Sequence, residues 1–238
     1  MRTVTAHILG LEVTLSLSKT IAQKPFVPKT ETVKLNFGPG PHWKKPDEDW
    51  YAVDIDPVLG DVVVDFSKFE RLPMKDESVE CVYGSHVFEH MSIFSAPRIF
   101  VEIHRVLRKG GVLRIVLPDA EKSIREYLAG NAAFRLFARR RERAKQAEGK
   151  DLTLFECMKE DFVSASGQQD LLGRYALAHQ NAWDYESIVS DLCRSGFCAE
   201  KIARSKFSGS GFPYFSFEGR QQSEADEDYR SLYVEAVK

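Results

Sequence analysis

The chain has little of several things that would narrow its class at once. No apolar run approaches the roughly 18 residues that cross a bilayer, so no membrane segment is expected. Its four cysteines, Cys81, Cys157, Cys193 and Cys198, have neither the paired CxxC spacing of a zinc site nor the density of a secreted disulfide scaffold, so free thiols are expected. Charge of one sign is also lacking: 33 lysines and arginines stand against 35 aspartates and glutamates, a net charge of -2. A surface dedicated to nucleic acid usually needs a strong basic excess, so nucleic acid is not an expected partner. The opening MRTVTAHILGLEVTLSLSK is interrupted by Glu12 and has no small-residue cleavage site after it, which argues against a secretory leader and for the cytoplasm.

What is present fits one domain over residues 1–238, with 43% hydrophobic and 29% charged residues. Two proline-bearing polar stretches, AQKPFVPKTE and PHWKKPDED, divide the chain. Residues 1–30 read as an N-terminal extension whose HILGLEVTLSLSK alternates as a strand pair would. From Val33 the apolar runs are short and regular, as in strands buried on both faces: TVKLNF, WYAVDID, VVVDF, VECVYG and VLRIVL. Between the last two, Ile99, Phe100, Ile103, Val106 and Leu107 recur at helical spacing. Ser95 is suited to cap that helix, Pro97 to its first turn, Arg108 and Lys109 to its last, and Gly110 or Gly111 to a left-handed stop. Strand, helix, GG, strand is a βαβ crossover and implies a largely parallel sheet.

The expected fold is therefore α/β, a Rossmann-like doubly wound sheet, mostly parallel, with helices on both faces. Residues 120–180, rich in arginine and helix formers, read as a helical insertion after the fifth strand that could cap the acceptor site. Residues 181–238 return to the sheet, with DYESIVSDLCRSGF as a helix ended by Gly196.

The stretch KLNFGPGPHW, residues 34–43, places Gly38 and Gly40 at the end of the first of these strands. A dinucleotide site would carry a third glycine and lead straight into a helix facing the pyrophosphate, with its acidic ribose ligand about 20 residues on. Here the third glycine is absent, Pro41 and Pro46 crowd the loop, and Asp54 follows Gly40 too soon. S-adenosylmethionine (SAM), the other adenosine ligand common on such sheets, carries no phosphate and needs close backbone approach instead of an anion-binding helix end. Asp54 at the tip of the second strand could accept both ribose hydroxyls, with Asp56 as the alternative. For both aspartates the competing role is a solvated turn before Pro57.

LNFGPG, WYAVDID, VVDFSKFERLPMKDESVECVYGSHVFEH and HRVLRKGGVLRIVLPD, taken in order over residues 33–119, resemble successive motifs of the class I SAM-dependent methyltransferases, in the type 11-like branch. HQNAWDYESIVSDLCRSGF is similar more weakly. The resemblance implies a seven-stranded sheet and SAM as cofactor. It further implies that Asn36, Gly38 and Gly40 line the methionine part, Asp54 with Ile55 the ribose, Asp65 with Phe66 the adenine, and that Ser85 borders the cofactor. Three departures stand out: Glu80 where an aspartate is common, Pro39 in place of a backbone donor, and no helix after the loop.

The acceptor is less marked. Methyl transfer needs alignment and, for a hydroxyl acceptor, a base. In SHVFEH, residues 85–90, His86 and His90 would share a helical face at i and i+4. His90 is the expected base and His86 the expected cofactor neighbour, each against the plainer role of holding the turn. Resemblance to sugar and small-molecule O-methyltransferases of the branch supports His90 and adds Asp119, whose alternative is a helix N-cap. Glu89 could pair with a nearby arginine. No metal is expected, because two histidines without a third ligand are too few. The cluster Arg135, Arg139, Arg140, Arg141, Arg143 and Lys145 is either a solvated helix face or a trap for an anionic acceptor. The expected partner is a small-molecule or sugar-linked acceptor. Two other readings stay open: a SAM-binding regulatory or scaffold protein, and an NAD-dependent enzyme.

Overall fold

The computed structural model describes residues 2–8, 11–17, 26–65, 71–163, 178–220 and 224–238. At the N-terminus β1 (Arg2–Ile8) pairs antiparallel with β2 (Leu11–Leu17), the strand pair that the alternation predicts. The main sheet has seven strands: β3 (Lys34–Phe37), β4 (Trp50–Asp54), β5 (Val62–Val63), β6 (Val79–Ser85), β7 (Leu107–Pro118), β8 (Ile202–Ser205) and β9 (Ser231–Val237). Their spatial order is β5-β4-β3-β6-β7-β9-β8. All neighbours from β5 to β7 are parallel, and β9 runs antiparallel to both β7 and β8. The order reverses at β3 and β6, and open α/β sheets bind ligands at such a switch point, outside the carboxyl ends of the strands.

Strand alternation divides the core in two. Leu35, Phe37, Tyr51, Val53, Val82, Leu113, Ile115 and Val234 face one cluster, covered by α1 (Ser95–Val106) and α5 (Tyr185–Arg194). Trp50, Cys81, Tyr83, Val112, Val116 and Tyr233 face the other, covered by Trp43 and by Phe207, Phe215 and Phe217. Where helices on both faces are expected, the described cover of this second face is loop and 3-10 turn (Pro213–Phe215, Glu224–Asp226). The reason is local: the β3–β4 connection is broken by Pro39, Pro41 and Pro46, and residues 208–219 by Gly209, Gly211, Pro213 and Gly219. No helix lies between β3 and β4, as the prolines there predict.

Arg114, in the middle of β7, holds that loop cover down. Its side chain is fully buried, and all five N–H groups donate: to Glu218 (2.7 and 2.6 Å), Glu235 (2.8 Å), Ser205 Oγ (3.0 Å) and the Lys206 carbonyl (2.9 Å). A buried guanidinium satisfied in full by two carboxylates is costly to break from either side.

The crossover helix α1 differs in its ends. Ser95 is its first residue and not its cap; its N–H is accepted by Ser92 Oγ at 3.2 Å. The helix stops at Val106 and the chain passes directly into β7, so Arg108 binds Glu80 across the sheet (2.5 Å) instead of closing a helical turn. Gly110 does adopt the left-handed conformation (φ 75°), but inside the start of β7, where its N–H is held by the Lys238 carbonyl.

After β7 come α2 (Ala120–Leu128), α3 (Arg135–Glu148) and α4 (Leu154–Lys159), which share a small core of Phe134, Leu136, Phe137, Leu152, Cys157 and Met158. Half of the arginine cluster is committed inside this unit. Arg139 pairs with Glu227, Arg140 with Glu160 and Asp161, and Arg135 stacks 4.4 Å above the Tyr229 ring. Arg141, Arg143 and Lys145 are exposed. Among the described residues no helix is long and apolar enough to cross a membrane.

Candidate active site

Three parallel strands deliver the expected cofactor residues to one edge. β3 ends at Phe37 and opens into Gly38 (φ 55°) and Gly40 (φ 70°), both left-handed, a conformation that L residues with a Cβ adopt at a cost. Their surroundings differ. A Cβ on Gly38 would lie 2.4 Å from Val87 Cγ2, so this glycine lets β3 close against the segment after β6; at Gly40 nothing lies within 4 Å. Gly40 thus presents bare backbone to open space. Asn36 is buried in β3, one residue before Phe37.

Asp54 ends β4, in register beside this loop: the Gly38 N–H is accepted by the Val53 carbonyl at 2.9 Å. Its Oδ1 accepts the Asp56 N–H (2.9 Å), while Asp56 Oδ1 accepts the Val58 N–H (2.8 Å). Both aspartates thus take part in the turn around Pro57. Ile55 is exposed beside them, an apolar side chain on the rim. Asp65 lies just after β5, half-buried, and Phe66 lies outside the described residues. Ser85 ends β6, its Oγ buried with no hydrogen-bond partner. The cleft of about 680 Å³ lined by Tyr51, Val62 and Val63 lies on the β4–β5 flank of the sheet and does not include the glycine loop.

The acceptor-side histidines do not share a helical face. His86 takes a positive φ (49°), and only the short 3-10 turn Phe88–His90 follows, so the i and i+4 arrangement never forms. The reason is the close approach at Gly38: the chain must turn back at Val87 to pack there. The His86 ring is buried, with Nε2 3.0 Å from Ser231 Oγ and Nδ1 3.4 Å from Glu89 Oε1. His90 turns the other way and stacks edge-on against His179, ring centroids 5.0 Å apart. His90 Nδ1 is buried without a hydrogen-bond partner.

Glu89 sits between these rings, not beside an arginine. Only 1% of it is exposed, and both carboxylate oxygens are buried without a hydrogen bond. Burial pushes its pKa up, but the adjacent His86 and the fields of His90 and His179 outweigh it and hold the carboxyl below its ordinary value. His179 is displaced toward the neutral ring, chiefly by burial and against the pull of Glu89. Its Nδ1 bonds the Asp161 carbonyl at 2.9 Å. From the sequence Glu89 was expected only to pair with an arginine, and His179 was not singled out. The available signal was a histidine five residues ahead of the helix that Asp184 and Ser187 open with a capping box.

Asp119 follows β7 and caps α2, accepting the Lys122 N–H at 3.0 Å, so the structure assigns it the N-cap alternative. Glu80, the acidic substitute noted in the sequence, binds Arg108 through both oxygens and also accepts from Tyr214, which ties β6 to the aromatic cover.

Residues 43–115 match the family described as "Methyltransferase domain", a span that begins after the glycine loop, ends within β7 and includes Asp54, His86 and His90. No curated protein matches the chain. Similar solved structures include a SAM-dependent methyltransferase from Archaeoglobus fulgidus (11% identity, TM-score 0.45, covering 89% of this chain and 88% of that one). A second is the S-adenosylmethionine-dependent methyltransferase from Mesorhizobium loti (14%, 0.45, 90% and 94%). A third comes from the complex between the Haloferax volcanii Trm112 methyltransferase activator and a methyltransferase (14%, 0.47, 87% and 82%).

Proposed function

We propose that this chain, a SAM-dependent methyltransferase by the domain it carries over residues 43–115, moves the methyl group to a hydroxyl of a small-molecule or sugar-derived acceptor. The observation that carries the cofactor side is the pairing of Gly40, bare and left-handed over open space after β3 at the switch point of the sheet, with Asp54 at the tip of the neighbouring strand β4. In this reading Asn36, Gly38 and Gly40 pass along the methionine moiety, Asp54 accepts the ribose hydroxyls with Ile55 against the sugar, and Asp65 with Phe66 serves the adenine.

The acceptor oxygen loses its proton and its lone pair attacks the methyl carbon. The carbon–sulfur bond then breaks with its electron pair going to sulfur, releasing S-adenosylhomocysteine. Alignment supplies much of the rate, and the proton must be taken from the hydroxyl. His90, in the turn that follows β6, is the basic group on that side; His86 and Asp119 position the turn and α2. The helical segment after β7, with α2, α3 and α4, serves as the acceptor cap, and Arg141 and Arg143 are its exposed charges for an anionic group.

The test is release of S-adenosylhomocysteine from SAM in the presence of a panel of small hydroxyl and amine acceptors, sugars and sugar phosphates included. Turnover with hydroxyl compounds is expected; turnover with amines alone would overturn the assignment of the acceptor atom.

A further inference from the structure

Glu89 poses a problem that the methyltransferase reading leaves unsolved. A carboxylate with both oxygens buried and unbonded is costly unless a positive charge compensates it. Among the described residues no lysine or arginine pairs with it, and its ion-pair contact is the His86 ring at 3.4 Å. The His90 and His179 rings each bring a nitrogen to the same place, and His90 Nδ1 is buried without a hydrogen-bond partner. One donor atom from each of Glu89, His90 and His179 lies within 4.8 Å of the others.

We infer that Glu89, His90 and His179 bind a divalent transition-metal ion beside the glycine loop. One carboxylate and two imidazoles are the donor set of open, three-ligand sites for zinc and related ions. Bonds near 2.1 Å put such ligand atoms roughly 3.5 Å apart, so closing the present spacing needs side-chain shifts of about 1 Å. The surroundings have the form that orients ligands in metal sites. His179 Nδ1 is hydrogen-bonded to the Asp161 carbonyl at 2.9 Å, which fixes the ring's orientation. Asp161 is itself held by Ser123 and Arg140, and His86 stands behind Glu89.

The site lies close to the proposed chemistry, since Val87, which packs on Gly38, immediately precedes the Phe88–His90 turn. This role rests on the reading of the previous subsection: an ion held there would offer its open position to the acceptor oxygen and lower that oxygen's pKa, and His90 would then serve as a ligand in place of the base.

The experiment uses tag-free full-length protein, stripped with a chelator and titrated with zinc against a chromophoric competitor, with elemental analysis after desalting. Cobalt(II) loading in parallel reports the ligand field. About one equivalent of zinc per chain is expected, with binding weakened at least tenfold in Glu89→Gln, His90→Ala and His179→Ala, and cobalt bands altered in each. A His104→Gln control, outside the cluster, should bind as the wild type does. Less than about a tenth of an equivalent in wild type, or binding unchanged in both Glu89→Gln and His179→Ala, would overturn the site. S-adenosylhomocysteine binding is measured on the same stripped protein. If the nucleoside binds and zinc does not, the metal site falls and the methyltransferase reading stands; if zinc binds and the nucleoside does not, the reverse holds.

Discussion

Gly38 and Gly40 are two residues apart and both left-handed, yet substitution with alanine should have opposite consequences. At Gly38 the new Cβ would sit 2.4 Å from Val87 Cγ2 and 2.9 Å from Val87 Cβ, at a φ of 55°. The left-handed conformation costs about 1–2 kcal/mol for a residue with a Cβ, and forced overpacking about 1–3 kcal/mol more, so Gly38→Ala should destabilise by about 2–5 kcal/mol. At Gly40, where nothing lies within 4 Å, only the conformational cost of about 1–2 kcal/mol applies. On the proposed path of the cofactor over Gly40, the new methyl group would stand in the way, so affinity for S-adenosylhomocysteine should fall at least about tenfold, or about 1.4 kcal/mol. Urea unfolding of the two variants, with calorimetric titration of each, separates the effects. Adding Val87→Ala to Gly38→Ala should restore about 1–3 kcal/mol and leave the strain. A Gly38→Ala protein within about 0.5 kcal/mol of wild type would refute the close-approach argument. So would a Gly40→Ala protein with unchanged affinity refute the cofactor's path over that residue.

Asp54→Ala should weaken the cofactor by about 1.5–3 kcal/mol, roughly 10–150-fold by calorimetry, if its carboxylate accepts the ribose hydroxyls. His90→Ala should lower turnover by about 100-fold or more with cofactor affinity nearly unchanged, read from steady-state rates beside a binding titration. Arg114→Met should cost about 3–5 kcal/mol in urea unfolding, because Glu218 and Glu235 lose the cation that they share. Burial raises the Glu227 pKa but Arg139 and Arg230 outweigh it, bringing it down from 4.5 to about 2. A depressed folded-state pKa gives stability that is full above pH 4.5 and lost as the pH falls toward 2; unfolding curves across that window should flatten in Glu227→Gln.

The sheet was legible because its strands are short apolar runs bounded by turn residues, and β3 to β7 lie where those runs do. The glycine loop was legible for a related reason: Pro41 and Pro46 forbid a helix at any tertiary cost, and none forms. Legibility ended where a position depends on distant partners. Ser95 and Gly110 carry good helix-boundary chemistry, yet α1 starts one residue earlier than a Ser95 cap requires and ends at Val106, four residues before Gly110, because Leu107 already pairs with Val79. The SHVFEH histidines fit a helix by spacing, but packing of Val87 on Gly38 turns the chain there. Arg114, Glu218 and Glu235 meet from positions more than 100 residues apart, and no local pattern marks a buried arginine in a strand. The Glu89, His90 and His179 cluster was hidden in the same way. With His179 unseen, two histidines were too few to suggest an ion, and only the fold supplies the third group.

The central claim is that the carboxyl edge of β3 and β4 binds a SAM-type nucleoside, and calorimetric titration of the wild-type chain with S-adenosylhomocysteine tests it most directly. The account predicts one saturable site per chain, weakened in Asp54→Ala and in Gly40→Ala. Absence of binding by a folded protein, together with saturable binding of NAD, would contradict it.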